Sequence, residues 1–256
     1  MRALTDAVRM ETRRVATVRS SYLVTGIAVF GGAVIALMTA LLAPEHTALS
    51  RSRTVAALTA GGDGVPMSPV GGLLAILGVL SVGQDYRYRL LPAVFTAVPR
   101  RVAVVLARLT VLGVLALAVA TVTSLVGAAI CSLLGRTPAH DRGTLRVVGT
   151  FWVLSVLWTW LGAGLTWILR SSAGSVSVLL LGPLLVEPLI LLLGSAGSSA
   201  LRHRLSWLPF AAARQALGPM RGTATTLGAL AAGVVFTLVT LAVVALGTLF
   251  VRRRSA

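Results

Sequence analysis

The chain has 256 residues, of which 56% are hydrophobic and only 12% are charged, whereas soluble domains carry roughly 25% charged residues. This composition excludes an ordinary water-soluble domain, because a chain with so little polar surface would aggregate in water. The net charge is +16 and all 23 basic residues are arginines; they stand at the ends of apolar runs, which favours contact with lipid headgroups over nucleic-acid binding.

At its N-terminus the chain has the pattern of an amphipathic helix, over residues 1–21. At about 100° per residue, one stripe is apolar and the opposite face is basic. The stripe consists of Leu4, Val8, Val15, Val18 and Tyr22. Glu11 interrupts it. A basic amphipathic helix that leads into a span predicts an interfacial helix; a plain extension of the first span is the alternative.

Six apolar runs are long enough to cross a membrane. A span needs about 20 residues, since a helix rises about 1.5 Å per residue and the hydrocarbon layer is about 30 Å thick. The predicted spans cover residues 22–42, 68–84, 109–134, 147–169, 175–194 and 227–251. The sequence therefore predicts an all-α integral membrane protein, with residues 1–256 forming a single transmembrane domain.

The arginines also predict the orientation of the spans. If the N-terminus is cytoplasmic, 14 arginines fall on the inner side and 9 on the outer side, and the inner ones cluster against span ends, where the positive-inside rule applies. An even number of spans then places both termini in the cytoplasm. The first span is long enough to be an uncleaved anchor.

Two loops are too apolar to be simple connectors. The loop between the second and third spans starts at Gln84 and Asp85, continues through an apolar stretch and ends at Pro99-Arg100-Arg101. Such a loop is expected either to lie against the membrane or to dock in a partner's groove. The residues alone do not favour one of these two interpretations. Residues 205–217, before the sixth span, predict a short re-entrant helix in the outer leaflet, with a surface helix as the alternative.

Glu187 is the only acidic residue deep within a predicted span. An intramembrane carboxylate is costly, so it is a candidate for the substrate route. It is also compatible with a protonated side chain, a partner at Arg202 or Arg204, or a role at the kink of Pro188. Pro183 and Pro188 are expected to bend this helix.

No pattern for catalysis or nucleotide binding is present in the sequence. The chain has no lysine and no G-x-x-x-x-G-K-[ST] motif. His46, His140 and His203 stand in separate outer loops and match no metal-ligand spacing. We therefore expect a protein that is not an enzyme and holds no metal or cofactor.

The central loop resembles the signature of ABC-2-type transporter permeases, particularly the actinobacterial ones. That signature has an acidic residue, Tyr-Arg, Gly-Thr, a short helix, Pro-Arg-Arg and a later lysine. The residues that match are Asp85, Tyr86, Arg87, Phe95, Ala97, Pro99, Arg100 and Arg101. Arg108 stands in place of the lysine, and Arg89-Leu90 in place of Gly-Thr. The N-terminal helix, Glu187-Pro188 and Leu208-Pro209-Phe210 also resemble features of this family.

The resemblance implies the permease subunit of an ATP-driven exporter in a bacterial cytoplasmic membrane. Its partners would be ABC ATPase subunits, which hold ATP and Mg, and a second permease copy or a similar permease. A coupling helix over about residues 90–98 would dock on the ATPase. The ATPase-coupling residues would be Asp85, Tyr86, Arg87, Phe95, Pro99, Arg100 and Arg101. The substrate would be a hydrophobic or amphipathic drug, peptide or lipid, exported by alternating access. The alternative is a regulatory or assembly subunit without an ATPase.

Overall fold

A computed structural model describes residues 2–43, 49–61, 67–88, 101–137, 141–195, 205, 207–217 and 228–253. Within these ranges the regular structure is helical. The elements are α1 (Arg2–Thr17), α2 (Arg19–Leu41), α3 (Arg51–Thr59), α4 (Pro69–Arg87), α5 (Arg101–Leu133), α6 (Arg142–Leu169), α7 (Ser172–Leu181), α8 (Glu187–Ser195), α9 (Pro209–Leu217) and α10 (Ala229–Arg253). A π-helical segment, Gly182–Val186, joins α7 to α8.

Six of these helices are long and apolar enough to cross a membrane, counting α7, the π-helical segment and α8 as one. This confirms the prediction of an all-helical chain with six potential spans. The third predicted span, residues 109–134, falls within α5 apart from its last residue, and α5 itself begins at Arg101; where the membrane begins along this helix stays a prediction. α1 ends at Thr17, because Val18 has extended backbone angles (φ −85°, ψ 114°). That residue turns the chain from α1 into α2.

The centre of the bundle is the crossing of α4 and α6, where 61% of the apolar window of each helix is buried. Glycines allow this close approach. A Cβ atom at Gly78 would overlap the carbonyl oxygen of Thr159, and one at Gly162 would overlap that of Ala75. Small residues are typical of such helix contacts in membranes. By contrast, the windows of α2, α7–α8 and α10 are only 17–28% buried, so their apolar faces lie on the outside of the chain.

The sequence patterns do not predict α3, which lies between the first two spans. Its apolar residues form no clear stripe, yet it packs tightly on α5. The Ser124 hydroxyl donates to the Leu58 carbonyl oxygen at 2.8 Å and accepts from Trp152 Nε1 at 3.2 Å. Ala60 ends the helix with a left-handed backbone (φ 48°). Tertiary contacts thus hold a helix whose own sequence signal is weak.

The fifth span is interrupted by the π-helical segment Gly182–Val186, which contains Pro183 and ends two residues before Pro188. Across the π-helical segment, the Glu187 N–H donates to the carbonyl oxygen of Gly182, five residues earlier. Beyond this span, α9 covers part of the stretch for which a short outer helix is predicted; its depth in a membrane stays a prediction, as does the interfacial position of α1. The predicted coupling helix, about residues 90–98, lies outside the described residues.

Candidate functional site: a buried ion-pair cluster beside the central loop

Four charged side chains from three helices meet beside the loop between the second and third spans. Glu11 and Arg14 come from α1, Asp85 from the last turn of α4 and Arg108 from the early turns of α5. We call these four residues the ion-pair cluster. Glu11 and Arg14 lie three residues apart, which places them on the same face of α1. Asp85 lies at the C-terminal end of a helix, where a carboxylate is unfavourable unless cations compensate for it.

Arg108 is the centre of the cluster because it bonds to both acids. Its Nη2 donates to Glu11 Oε1 at 2.7 Å, and its Nε donates to the same oxygen at 3.3 Å. Its Nη1 donates to Asp85 Oδ2. Arg14 Nη2 donates to the other oxygen, Asp85 Oδ1, and to the Ser81 carbonyl oxygen at 3.3 Å. The planar guanidinium groups allow this divided bonding, which a lysine ammonium would not reproduce.

The cluster is almost fully withdrawn from solvent. Glu11 and Asp85 are each 1% exposed and Arg108 is 3% exposed, while the Arg14 side chain is 20% exposed. Two carboxylates face two guanidiniums, so the formal charges cancel. Removing one partner of a buried pair leaves an uncompensated charge, which typically costs about 3–5 kcal/mol. The cluster therefore imposes one arrangement on α1, α4 and α5.

Residues next to the ion-pair cluster add further contacts between these helices. Gln84 Nε2 donates to Ser20 Oγ at 3.2 Å, which ties α4 to the start of α2. Tyr86 is half-buried against a hydrophobic cluster formed by α4, α5, α6 and α10. Arg87 is exposed, with its guanidinium carbon 5.7 Å from the ring centroid of Tyr88. The side chains of α4 thus change from buried at Asp85 to exposed at Tyr88 as the helix enters the loop.

The predicted coupling residues therefore have different surroundings. Asp85 is turned inward and paired, Tyr86 is half-buried, and Arg87 is free to meet a partner. Arg101 begins α5, and its side chain is not among the described ones. Phe95, Pro99 and Arg100 lie outside the described residues. Their part in ATPase coupling stays a prediction.

Sequence reasoning did not include Glu11, Arg14 and Arg108 among the site residues. Two of the three carry a signal in the sequence: Glu11 interrupts the apolar stripe of α1, and Arg108 stands inside an apolar run. Arg14 carries none. Each anomaly alone has an ordinary explanation. Taken together, an acid and a base in apolar surroundings are candidates to pair, because an isolated charge there is costly.

Glu187 forms a second, simpler site in the fifth span, away from the ion-pair cluster in the sequence. It is 4% exposed, and its Oε1 accepts from the Phe210 backbone N–H at 2.9 Å. That N–H belongs to the first turn of α9, so the carboxylate caps this helix. Within the described part of the chain, Oε2 has no hydrogen-bond partner. Burial lowers the pKa of Arg214 on the same helix, and the Glu187 carboxylate acts in the opposite direction.

The cap on α9 differs from the partners that were considered for Glu187. Arg202 and Arg204 lie outside the described residues, so pairing with them is untested. Phe210, whose N–H is bonded, also stacks on Trp158 at 5.4 Å between ring centroids. Its ring fills the space beside Gly182 in the π-helical segment. Glu187 thus joins the interrupted span to a helix that packs in the core, and its part in a substrate route stays a prediction.

In the described ranges, no three His, Cys, Asp or Glu side chains lie close enough together to hold an ion; all three histidines fall outside those ranges. A scan against models of known protein families finds no match for this chain, and a search of curated protein sequences finds none either. The two buried sites are therefore the features of this chain that bear on its function.

Proposed function

We propose that this chain is the membrane-spanning permease subunit of an ATP-driven ABC exporter of the ABC-2 type. The observation that carries the proposal is the ion-pair cluster, which ties α1 to both helices that flank residues 89–100. Asp85 stands just before the loop leaves α4, and Arg108 stands two turns after Arg101, where α5 begins. A displacement of the loop therefore reaches three helices at once.

The loop is the part of the chain that would meet the ATPase. At its start Arg87 and Tyr88 are exposed, and exposed arginine and aromatic side chains are enriched in protein interfaces. Behind them, Asp85 is buried and paired. In this proposal the exposed residues bind the partner, while Asp85 and Arg108 transmit the motion. Because the charges of the cluster are buried and paired, a movement of the loop would displace α1, α4 and α5 together.

ATP and Mg²⁺ are bound by the partner, since this sequence has no lysine and no phosphate-binding glycine motif. The chain supplies the transport route and no catalytic group. The functional unit contains two ATPase subunits and two permeases, the second being another copy or a similar chain. The exposed apolar faces of α2, α7–α8 and α10 are available for lipid and for that second permease.

The substrate class comes from the resemblance to ABC-2-type permeases, which implies a hydrophobic or amphipathic drug, peptide or lipid. The apolar character of the spans is compatible with such a cargo. ATP binding and hydrolysis would move the pair of permeases between inward-facing and outward-facing states. The arginine distribution supports cytoplasmic N- and C-termini in a bacterial cytoplasmic membrane. On this orientation the ion-pair cluster lies on the cytoplasmic side and Glu187 toward the outer side.

Co-expression with an ATPase encoded beside this gene tests the proposal. We expect the two proteins to co-purify and the complex to hydrolyse ATP faster when substrate is added. Charge reversal at Arg87, Arg100 and Arg101 should weaken assembly or abolish the stimulation. Arg146→Glu is the matched control, because Arg146 is exposed at the opposite end of the spans.

Two outcomes would contradict the proposal. If the reversed variants assembled and responded to substrate as the original chain does, the loop would have no coupling role. If no ATPase co-purified from cells that express the neighbouring genes, a regulatory or assembly subunit without an ATPase would be the better description. The second outcome would leave the structural role of the ion-pair cluster untouched.

A further inference from the structure

An apolar groove of about 490 Å³ lies between α1, the start of α2 and the middle of α5. This volume is in the range of pockets that hold small organic ligands, about 300–1,000 Å³. Val8 and Val15 line it from α1, Tyr22 from α2, and Val111, Val114 and Ala118 from α5. None of these residues belongs to the ion-pair cluster, although Glu11 stands between Val8 and Val15 on α1.

The groove offers few polar groups to a ligand. Three of its threonines have hydroxyls that already donate to backbone carbonyl oxygens one turn earlier in the same helix: Thr12 to Val8 at 2.8 Å, Thr25 to Ser21 at 2.8 Å and Thr110 to Leu106 at 2.9 Å. Their methyl groups are left to line the wall. A polar ligand would lose its hydrogen bonds to water here without replacement. The fitting occupant is therefore a hydrocarbon chain.

The open side of the groove faces outward from the bundle. Tyr22 is 60% exposed and Val114 is 63% exposed, so both present apolar surface to whatever surrounds the helices. The Tyr22 hydroxyl donates to the Ala16 carbonyl oxygen at 2.7 Å, which holds the ring across the turn between α1 and α2. Since α2 and α5 are long enough to cross a membrane, the surrounding medium along this side is lipid.

Three arginines border the groove at its α1 end. Arg9, Arg13 and Arg19 each stand three residues before a groove residue, namely Thr12, Ala16 and Tyr22, and residues three apart are neighbours on a helix surface. All three are exposed, and no ion pair involving them occurs in the described part of the chain. Asp6, three residues before Arg9, is the nearby exposed acid in the sequence of α1. The border therefore keeps a positive charge, which complements an anionic headgroup.

We propose that this groove binds one acyl chain of an anionic phospholipid, and that Arg9, Arg13 and Arg19 hold its phosphate. The occupant is a lipid of the leaflet on which α1 lies. The apolar groove takes the chain and the arginine border takes the headgroup, so both halves of the molecule are recognised. The proposal requires a membrane but no ATPase partner, and it stands whether or not the chain is an exporter.

Native mass spectrometry of the full chain tests the lipid preference. The protein is released from nanodiscs of phosphatidylcholine that contain a minor fraction of phosphatidylglycerol. We expect phosphatidylglycerol to be retained in preference to phosphatidylcholine. Each of Arg9→Gln, Arg13→Gln and Arg19→Gln should lower that preference about fivefold, while the Arg→Lys variants keep most of it. Arg146→Gln, which removes an exposed arginine elsewhere, should leave it unchanged.

A second pair of variants tests the groove itself. Val114→Trp fills it, whereas Val122→Trp adds the same bulk to an exposed position of α5 that does not line it. We expect Val114→Trp to lower the retained phospholipid about tenfold, the equivalent of about two buried methylene groups. Val122→Trp should retain it. The arginine variants keep the proposal testable if Val114→Trp fails to fold.

The contrary results are distinct. Equal retention of the two lipids by the original chain and by its arginine variants would overturn the headgroup assignment. Equal retention by both tryptophan variants would overturn the groove assignment. If Val114→Trp dissociated a dimer and left the lipid content unchanged, a second copy of this chain would occupy the groove, and the proposal would be wrong.

Discussion

In the described part of this chain, buried carboxylates occur at two places in a largely apolar bundle, and their surroundings differ. In the ion-pair cluster, Glu11 and Asp85 are both bonded to Arg108, and Arg14 adds a further cation. In the fifth span, Glu187 accepts from the Phe210 backbone N–H, and its second oxygen has no hydrogen-bond partner in the described ranges. The first site has two acids with two bases, whereas the second has a single acid on a helix end.

The difference indicates two mechanical roles. The cluster joins three helices through several charge-assisted bonds, which are stronger than neutral ones, so it moves as one body. Glu187 contacts α9 mainly through the backbone N–H of Phe210, and its span is the least buried of the six. Such a contact has no paired charges of the kind that the cluster has, so it is easier to break and re-form. We therefore regard the cluster as a joint that transmits motion and Glu187 as a contact that can open.

The largest predicted effect is the loss of one partner from the cluster. Arg108→Leu would leave Glu11 and Asp85 buried with only the partly exposed Arg14 as a cation. We expect a loss of about 3–5 kcal/mol in the free energy of unfolding, measured by denaturant unfolding in detergent. Arg146→Leu is the control, and it should change stability by no more than about 0.5 kcal/mol. A variant as stable as the original would mean that the cluster is not a joint.

Substitution of Glu187 should lower the free energy of unfolding far less than substitution of Arg108 in the cluster. Glu187→Leu removes the cap of α9 and should cost about 0.5–2 kcal/mol, the usual range for a lost helix cap. Glu187→Gln keeps a side-chain oxygen for the Phe210 N–H, so we expect little change in stability. The same unfolding assay measures both. A loss as large as that of Arg108→Leu would place Glu187 in the same class as the cluster.

A transport assay distinguishes a structural role of Glu187, as the cap of α9, from a role in the substrate route. The amide of Glu187→Gln keeps the bond but loses the charge, and charge-assisted hydrogen bonds are about twice as strong as neutral ones. We expect export by the reconstituted complex to fall about fivefold, with folding and assembly unchanged. Normal export by this variant would return the residue to a structural role.

The smallest predicted effect concerns Asp141, an exposed carboxylate that caps α6. Comparing it with Glu187, a buried cap, shows how much burial contributes to the stabilisation by such a carboxylate. Its Oδ1 accepts from the Thr144 backbone N–H at 3.0 Å and from the Thr144 hydroxyl. These bonds hold the pKa of Asp141 below its ordinary range. A carboxylate with a lowered folded-state pKa stabilises the fold above its unfolded-state pKa, about 3.9, and loses that contribution as the pH falls through the folded-state value.

Thermal unfolding of Asp141→Ala and the original chain, compared over a range of pH, measures this contribution. The stability gap should be full at neutral pH and should narrow below about pH 4. Asp141→Asn is the control, because its amide caps the helix without titrating. The gap between the Asn and Ala variants should not vary with pH. A gap to the original chain that widened on acidification would contradict the assigned sign.

The six spans could be predicted from sequence because they depend on local composition. The pairing within the cluster could not, since Glu11 and Arg108 are separated by 97 residues and Asp85 and Arg108 by 23. The sequence marks each of these residues as an anomaly, but only the packing of α1 against α4 and α5 brings them together. Asp85 was predicted as a functional residue from the resemblance to ABC-2-type permeases. Its burial could not be predicted in that way.

Two features of the backbone also lay beyond the sequence patterns. α3 has little amphipathic character and is held by contacts such as the Ser124–Leu58 hydrogen bond. Pro183 and Pro188 predict a bend, but whether the chain kinks or forms a π-helical segment depends on neighbours, here the Phe210 ring beside Gly182. Both features are decided by tertiary packing.

The central claim is that the cluster transmits the motion of the loop, and it can be separated from stability. Replacing all four residues with apolar ones (Glu11→Leu, Arg14→Met, Asp85→Leu, Arg108→Met) removes every buried charge at once, which is often neutral for folding. Substrate-stimulated ATP hydrolysis would be measured in the reconstituted complex with the ATPase. We predict a folded, assembled complex whose basal hydrolysis persists and whose stimulation is lost. Full stimulation in that variant would contradict the account.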